Sequence, residues 1–339
     1  MSQPNAGAEN QAEAVAAAER ASRWPRSTRP MGFGAILAMA ESSAFGDETP
    51  RFADILEMTR VANDVGFEAV WIIDHFLFRA QPDDQFPMPG TPDERGVWEC
   101  FTTMAGLAGA TERIQIGSLV ACTGFRNPGL VAKMTETIDD ISGGRTILGL
   151  GAGWHKPEYD AFGYPFDHRV TRFEEAIRII APLLRDGRAD VAGKFFQAAD
   201  AVNRPRGPRP AGVPILVGSS GERMLRIIAR HADAWNTVWH GSPEAIVAQM
   251  AAVDAACAEV GRDPATLVRT AGGNIAMPGY TGRRPDPIEG SDAQIAETIA
   301  RFRELGIQHF VAGLDPCTPR SLERFGRIIE LVDASAPIS

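Results

Sequence analysis

The segment Asp64-Val65-Gly66-Phe67-Glu68-Ala69-Val70-Trp71-Ile72-Ile73-Asp74-His75 holds the pattern that decides the fold. A helical segment ends at Gly66, an apolar strand follows, and two titratable residues come directly after the strand. Glycine is favoured at such a helix end because it enters the left-handed cap conformation without steric cost. The same order of helix, glycine and strand returns in residues 304–312. The chain is therefore predicted to consist of repeated strand–helix units.

Eight apolar runs alternate with segments of helical period along the chain. The predicted strands are residues 33–37, 69–73, 114–120, 146–150, 214–218, 234–238, 267–276 and 309–313. Most are continuous hydrophobic runs, which is typical of parallel strands that are buried on both faces. Eight such units predict an α/β fold, namely a (β/α)8 TIM barrel with insertions. An open, doubly wound sheet is the alternative, and it is disfavoured because no GxGxxG turn follows a strand.

Helix starts and ends carry their own signals. A polar residue followed by proline provides a side-chain acceptor at the N-cap and a preset backbone angle at the first helical position. Starts are predicted at Asn127-Pro128, Ser242-Pro243 and Thr318-Pro319, and through a capping box at Ser291 with Gln294. Ends are predicted at Gly66, Gly143-Gly144, Gly261 and Gly306.

Two connections are too long for simple loops. Residues 76–97 follow the second strand and are predicted to form a lid or wall of the active site, which barrels place at the carboxyl ends of their strands. Residues 186–213 follow the fourth helix and are predicted to contribute a hairpin. Residues 1–30 are predicted to be a flexible tail, and residues 31–339 the barrel domain.

Composition excludes several classes of protein. The 44% hydrophobic and 23% charged fractions are those of a globular protein with a sizeable core. A net charge of -9 without basic clusters argues against nucleic-acid binding. The four cysteines lack metal-ligand spacing, and no apolar stretch reaches the ~18 residues of a membrane span. The N-terminal residues lack the apolar core of a signal peptide, so we expect a cytoplasmic protein that does not bind a membrane.

Asp74 and His75 are the first candidate for catalysis. They stand at the end of a strand too apolar to finish in two titratable groups by preference alone. A histidine there could shuttle a proton near neutral pH or donate to a cofactor ring. The alternative is a histidine that caps the strand and bonds only to backbone, and the pair by itself leaves both interpretations open.

Two further segments favour cofactor binding. Residues 218–223 follow the fifth strand and open a helix with glycines, two hydroxyls and an arginine, which suits a phosphate. Residues 149–154 end the fourth strand with three glycines and Trp154, so a flat ring could approach the backbone closely. An ordinary capped loop and a crowded barrel corner are the respective alternatives.

Taken together, these stretches resemble the luciferase-like monooxygenase superfamily. The resemblance covers residues 31–333 and is closest to the deazaflavin-dependent branch. It rests on Asp74-His75-Phe76, Phe125-Arg126-Asn127-Pro128, Ile141-Ser142-Gly143-Gly144-Arg145, Gly149-Leu150-Gly151-Ala152-Gly153-Trp154, Glu158-Tyr159 with Ala161-Phe162-Gly163, and Gly218-Ser219-Ser220-Gly221-Glu222-Arg223.

The resemblance implies a barrel, usually dimeric, that holds coenzyme F420 or FMN at the strand ends. In relatives the ring backs onto a bulge that often contains a non-prolyl cis peptide, here matched by Leu119, Val120 and Ala121. His75 then faces the reactive side of the ring. The remaining residues implied to bind the cofactor are Gly151, Ala152, Gly153, Trp154 and Tyr159 at the rim, and Gly218, Ser219, Ser220, Gly221, Glu222 and Arg223 at the phosphate.

One departure from the family pattern bears on the substrate. Some deazaflavin-dependent sugar-phosphate dehydrogenases of the family have an acidic catalytic residue after the glycine-rich fourth strand, where this chain has Trp154. Sugar-phosphate oxidation is therefore disfavoured, and a more apolar small-molecule substrate is expected.

The leading hypothesis is hydride transfer between a small organic substrate and F420, with His75 and Asp74 as catalytic residues. The alternative is a monooxygenase that uses oxygen and reduced FMN from a partner reductase. A more remote alternative is a metal-dependent hydrolase using His75, His155 and His240, but no ligand spacing supports a metal site. A flavin-binding relative without catalytic activity is the last interpretation left open.

Overall fold

A computed structural model gives the structure of residues 23–41, 43–45, 48–79, 94–280, 282 and 286–336. Its strands are β1 (Gly32–Ile36), β2 (Ala69–Ile72), β3 (Leu77–Arg79), β4 (Glu94–Gly96), β5 (Gln115–Ser118), β6 (Ala121–Cys122), β7 (Thr146–Gly151), β8 (Arg188–Ala192), β9 (Gln197–Val202), β10 (Ile215–Gly218), β11 (Ala234–Thr237), β12 (Val268–Ala276) and β13 (His309–Asp315). Its α-helices are α1 (Phe52–Asp64), α2 (Cys100–Ala110), α3 (Pro128–Ser142), α4 (Lys156–Phe162), α5 (Arg169–Arg185), α6 (Glu222–His231), α7 (Val247–Glu259), α8 (Asp292–Glu304) and α9 (Pro319–Ala334).

The main sheet is a closed parallel barrel. Around it the strands follow in the order β1, β2, β5, β7, β10, β11, β12 and β13, and β13 pairs with β1. The pairing of β7 with β10, in which Ile215 lies opposite Leu148, completes the ring. The predicted (β/α)8 barrel is confirmed. Its strand ends therefore converge on one rim, as the site prediction requires.

The third predicted strand, residues 114–120, is not continuous. It breaks after Ser118 and resumes as β6, which pairs with β7. Ser118 Oγ accepts from Gly149 N at 3.0 Å and donates to Gly149 O at 2.8 Å. A Cβ on Gly149 would lie 2.0 Å from Ser118 O, so the two backbones approach as closely as they do only because residue 149 is glycine.

Most predicted helix signals lie where the structure begins or ends a helix. Asn127 and Thr318 cap α3 and α9 through their side chains, and Ser291 with Gln294 forms a capping box on α8. Gly143 ends α3 in the left-handed conformation. Ser242-Pro243 instead opens a short 3-10 helix, Pro243–Ile246, which leads into α7.

The core has an outer and an inner layer. The outer layer lies between strands and helices, and the inner layer fills the barrel with side chains such as Trp71, Leu216 and Val311. Partly buried Val120 and Trp239 pack onto this inner layer. The interior of the barrel is therefore filled by side chains, so its mouth is the place where a ligand is expected to bind.

Residues 23–30, which belong to the predicted tail of residues 1–30, contact the barrel. Arg23 Nε lies 3.0 Å from Asp233 Oδ1, and the Trp24 ring meets His309 edge-on at 6.0 Å. Ser27 donates to Glu68 at 2.5 Å, and Arg29 pairs with Asp333. Because His309 begins β13, this strap of residues 23–30 lies at the amino-terminal end of the barrel. The rest of the predicted tail lies outside the described residues.

Both long connections contribute hairpins. β8 and β9 pair antiparallel within residues 186–213, as predicted. β3 pairs with β4 at the two ends of the 76–97 connection, and residues 80–93 between them lie outside the described part, so their role as lid or wall stays a prediction. Within the described residues, no helix is both long and apolar enough to cross a membrane.

Candidate active site

Three glycines form a cradle around Val120 at the barrel mouth. A Cβ built on Gly151 would lie 2.5 Å from Val120 Cγ2, and Cβ atoms on Gly149 and Gly218 would lie 3.3 Å and 3.5 Å from Val120 Cγ1. The glycines come from β7 and β10, and Val120 follows β5. Three strands thus meet at the side chain of Val120, which packs closely against the glycines and is itself only partly buried.

The peptide bond between Leu119 and Val120 is cis, at the position that the family resemblance indicated. Leu119 and Val120 pack on the inner layer, while Ala121 is buried with the outer layer. A second non-prolyl cis peptide joins Val238 to Trp239. No motif in the sequence indicated this second cis peptide.

His75 lies at the same rim, beside aromatic side chains. Its ring is 5.6 Å from that of Trp154 and 4.4 Å from that of Phe78. Its Nδ1 atom lies 2.8 Å from Glu158 Oε1. The His75 side chain keeps 15% of its surface exposed, so reactants at the barrel mouth can reach it.

Glu158 is a residue that the sequence-based site prediction missed. Its other oxygen, Oε2, accepts from the backbone N–H of Phe76 at 2.9 Å, and its side chain is only 1% exposed. It stands in the first turn of α4, where an acidic residue is favoured by the helix dipole. The motif Glu158-Tyr159 was visible, but sequence spacing could not show which earlier strand end it would reach.

Asp74 faces away from its neighbour in the chain. Arg126 donates to both carboxylate oxygens, at 2.7 Å and 2.9 Å, and Cys122 N donates to Oδ2 at 2.8 Å. Burial opposes the charge of Arg126, yet its bonds to Asp74 raise its pKa, and a further bond joins it to Glu99. These contacts favour a structural role for Asp74, which fixes the bulge, over the catalytic role predicted for it.

Tyr159 supports the rim from beneath. It is fully buried, and its hydroxyl lies 2.8 Å from Cys122 Sγ and donates to Ala152 O at 3.1 Å. Burial raises the pKa of Cys122 to about 12 and raises that of Tyr159 as well, so both stay protonated. A Cβ on Gly153 would lie 1.9 Å from the Tyr159 hydroxyl. Direct cofactor contact, as predicted for Tyr159, is therefore disfavoured by its burial.

Residues 218–223 connect β10 to α6, as predicted. Ser219 O accepts from Trp235 Nε1 at 2.7 Å, Ser220 is exposed, and Gly221 is the N-cap of α6. Glu222 pairs with Arg226 one turn along the helix. The Ser219 hydroxyl accepts from Gly221 N at 3.4 Å, and the exposed Ser220 faces solvent.

A pocket of about 360 Å³ opens next to this loop. It is lined by Phe166, His168, Arg169, Val170, Thr171 and Arg223. Arg223 bonds to Thr171 at 3.1 Å and to Glu174 at 2.6 Å, and Arg169 donates to Gly153 O at 2.5 Å. Two guanidinium groups therefore lie beside the start of α6, where backbone N–H groups also favour an anion. The sequence predicted Arg223 but missed Arg169.

The predicted segments come together. His75 contacts Trp154 of the glycine rim, Asp74 bonds to the backbone after the bulge, and Val120 lies against Gly151 and Gly218. His240 bonds to Thr237 at 2.8 Å, and burial lowers its pKa. Within the described residues, no group of three or more His, Cys, Asp or Glu side chains is arranged to hold a metal ion.

Comparison with known proteins identifies the family. The model of the luciferase-like monooxygenase family matches residues 31–278. The chain belongs to this family of oxidoreductases, and the predicted resemblance is confirmed.

The chain is similar to the pyrimidine monooxygenase RutA of Cronobacter sakazakii, with 38% identity over 177 residues, 50% of this chain and 51% of the relative. RutA of Klebsiella pneumoniae is also 38% identical, over 50% of this chain and 48% of the relative. The match thus spans about half the length of these curated relatives.

Solved structures share the fold. EDTA monooxygenase EmoA from Chelativorans sp. BNC1 has a TM-score of 0.72 at 15% identity, covering 91% of this chain and 94% of the other. Coenzyme F420-dependent tetrahydromethanopterin reductase from Methanopyrus kandleri has a TM-score of 0.69 at 18% identity, covering 88% and 97%.

Proposed function

We propose that the protein is a two-component monooxygenase that binds reduced FMN at the barrel mouth and acts on a small organic substrate. The observation that carries the proposal is the rim at the barrel mouth, where the partly buried residues Val120, Gly153 and Gly218 lie with the aromatic side chain of Trp154 and the side chain of His75. Relatives at 38% identity named as monooxygenases support this activity. We therefore propose FMN rather than F420 as the cofactor, whereas the family resemblance favoured F420.

The chain's own residues fit a flavin in two places. The rim suits the flat ring, since Val120, Gly153 and Trp154 are only partly buried there, and a Cβ on Gly218 would find ordinary contact distances next to Val120. The pocket between α5 and α6 suits the phosphate, because Arg169, Arg223 and the first N–H groups of α6 supply positive charge. Leu119, Gly153 and Trp154 complete the proposed ring site, and Ser219 and Ser220 the phosphate site.

Reduced FMN would supply the two electrons with which molecular oxygen is divided between the product and water. The protein's share is positioning and proton handling. His75 is the proposed proton donor or acceptor, and Trp154 and Phe78 exclude water around its ring. The partner reductase, the homodimer and the cytoplasmic location remain predictions.

Pyrimidines are the first substrates to test, because the relatives are named pyrimidine monooxygenases. Oxygen consumption and product formation should require the protein, reduced FMN and the substrate together. Turnover with F420 and no response to FMN would reverse the assignment.

The phosphate pocket gives a sharper test of the cofactor. We expect Arg223→Ala to weaken FMN binding by about tenfold, since it removes one charge-assisted hydrogen bond worth ~1.5 kcal/mol. Riboflavin has the same ring without the phosphate, so its affinity should be equal in the two proteins. Fluorescence titration measures both ligands. Equal loss of FMN and riboflavin affinity, or no loss of either, would contradict a phosphate at this pocket.

A further inference from the structure

We infer that Glu158 is a positioning residue that fixes the orientation and the proton of His75, an inference that deepens the proposed function and rests on it for its catalytic consequence. Its carboxylate bridges two groups at the end of β2. Oε1 lies 2.8 Å from His75 Nδ1, and Oε2 accepts from Phe76 N at 2.9 Å. The bridge joins α4 to the rim next to the reacting side chain.

The contact with the backbone N–H of Phe76 decides which atom donates the hydrogen bond between Glu158 and His75. The N–H of Phe76 can only donate, so it occupies Oε2 of Glu158. The other oxygen, Oε1, then accepts a hydrogen bond from His75. Neutral His75 then carries its proton on Nδ1, and Nε2 is the nitrogen with a free lone pair. Within the described residues, Nε2 makes no hydrogen bond, so it is the atom available to reactants.

Among the described residues, three other titratable or charged groups lie near His75. His155 lies 6.3 Å away between ring centroids, and its Nε2 accepts from Arg79 N. Arg95 stacks on Phe78, the ring that contacts His75. The neighbouring carboxylate, Asp74, is bonded to Arg126 and Cys122 N instead. Glu158, buried and in direct contact, is therefore the described group that sets the state of His75.

Substitution by glutamine makes the inference testable. The Phe76 N–H would keep the single carbonyl oxygen of Gln, which turns the amide NH2 group toward His75 Nδ1. Since NH2 only donates, Nδ1 must accept, and the proton of His75 moves to Nε2. Glu158→Gln is therefore expected to invert the tautomer of His75 rather than merely loosen the ring.

The experiment is 15N NMR of histidine-labelled full-length protein without flavin or substrate, with His75→Gln to assign the signal among the six histidines. At alkaline pH, where histidine is uncharged, we expect the Nδ1–H form in the unsubstituted protein, the Nε2–H form in Glu158→Gln and a mixture in Glu158→Ala. The control is Asp160→Asn, which removes an exposed carboxylate from the same helix and should leave the signal unchanged. An Nε2–H form in the unsubstituted protein, or the same form in Glu158→Gln, would overturn the inference.

Turnover then shows whether the positioning matters. Misplacement of a reacting group costs on the order of 100-fold in rate, so we expect kcat to fall by about that factor in His75→Ala and in Glu158→Ala. The double variant should be no slower than His75→Ala, because Glu158 acts only through His75. Additive losses would overturn the inference. The NMR result stands without any flavin chemistry, so failure of the proposed function is distinguishable from failure of the inference.

Discussion

Asp74 and His75 are neighbours in the sequence with opposite surroundings in the structure. Side chains alternate between the two faces of an extended chain, so one of two adjacent residues points to the barrel mouth and the other beneath it. His75 reaches Trp154 and Glu158, whereas Asp74 is clamped by Arg126. The pair was predicted as one catalytic unit, and the contacts divide it into a candidate catalytic residue and a structural one.

The substitution Gly218→Ala tests whether the flavin ring binds at the glycine cradle, without disturbing the fold. An added Cβ would have ordinary contact distances of 3.5 Å to Val120 and 3.8 Å to Asn236, so Gly218→Ala should fold normally. The methyl group would nevertheless occupy space proposed for the flavin ring. We expect flavin affinity to fall by about tenfold or more, with little change in the melting temperature, measured by titration and calorimetry.

The matched control is Gly109→Ala on the exposed side of α2. Its Cβ would lie at an ordinary contact distance of 3.7 Å from Ile141 and does not meet Val120, and alanine favours a helix by ~1 kcal/mol over glycine. Flavin affinity should not change in this variant. Unaltered flavin affinity in Gly218→Ala would place the ring elsewhere.

The strap of residues 23–30 behaves as part of the barrel, although composition suggested a tail. Arg23 of the strap bonds to the buried carboxylate of Asp233. Asp233 also accepts from Ile215 N and lies 3.5 Å from Arg185. The strap thereby ties the start of the chain to β10 and to the residue before β11. Composition alone could not reveal this, because the acidic partner lies 210 residues away.

Arg23→Ala is expected to lower the free energy of unfolding by roughly 2–4 kcal/mol. The reason is that Asp233, with a fully buried side chain, would lose its nearest cation and keep only the more distant Arg185. Arg26→Ala, an exposed change in the same strap, should stay within ~0.5 kcal/mol. Denaturant unfolding compares the two. Equal stability of both variants would show that the strap does not support the barrel.

Acid stability is a property of the complete fold, because it depends on histidines that the fold buries as neutral groups. Burial lowers the pKa of His309 to about 3 and, with nearby arginines, that of His231 to about 4, both from 6.5. Between these values and pH 6.5 the unfolded chain binds more protons than the folded one. The free energy of unfolding should therefore fall as the pH falls from about 6.5 toward 4.

His309→Gln removes one of these two titrating groups, so it measures the contribution of His309 to the pH dependence of stability. Glutamine can still accept from Trp71 Nε1, which lies 3.3 Å from His309 Nε2, but it does not titrate. The pH slope of stability between 6 and 4 should become shallower by up to about 1.4 kcal/mol per pH unit, the value of one proton. Urea unfolding at several pH values measures it. Parallel slopes for both proteins would contradict a neutral buried His309.

The sequence by itself determined the barrel, the order of its strands, most helix starts and the segments that meet at the rim. These depend on local hydrophobic period, on capping residues and on glycine, so they can be recognised in short stretches. Only the tertiary structure decided that Glu158 contacts His75, that Asp74 and Tyr159 are buried, and that Arg169 and Arg223 line the same pocket. The reason is that each of these depends on which side chains meet when distant strand ends and helix starts close into a ring, and spacing along the chain does not contain that information.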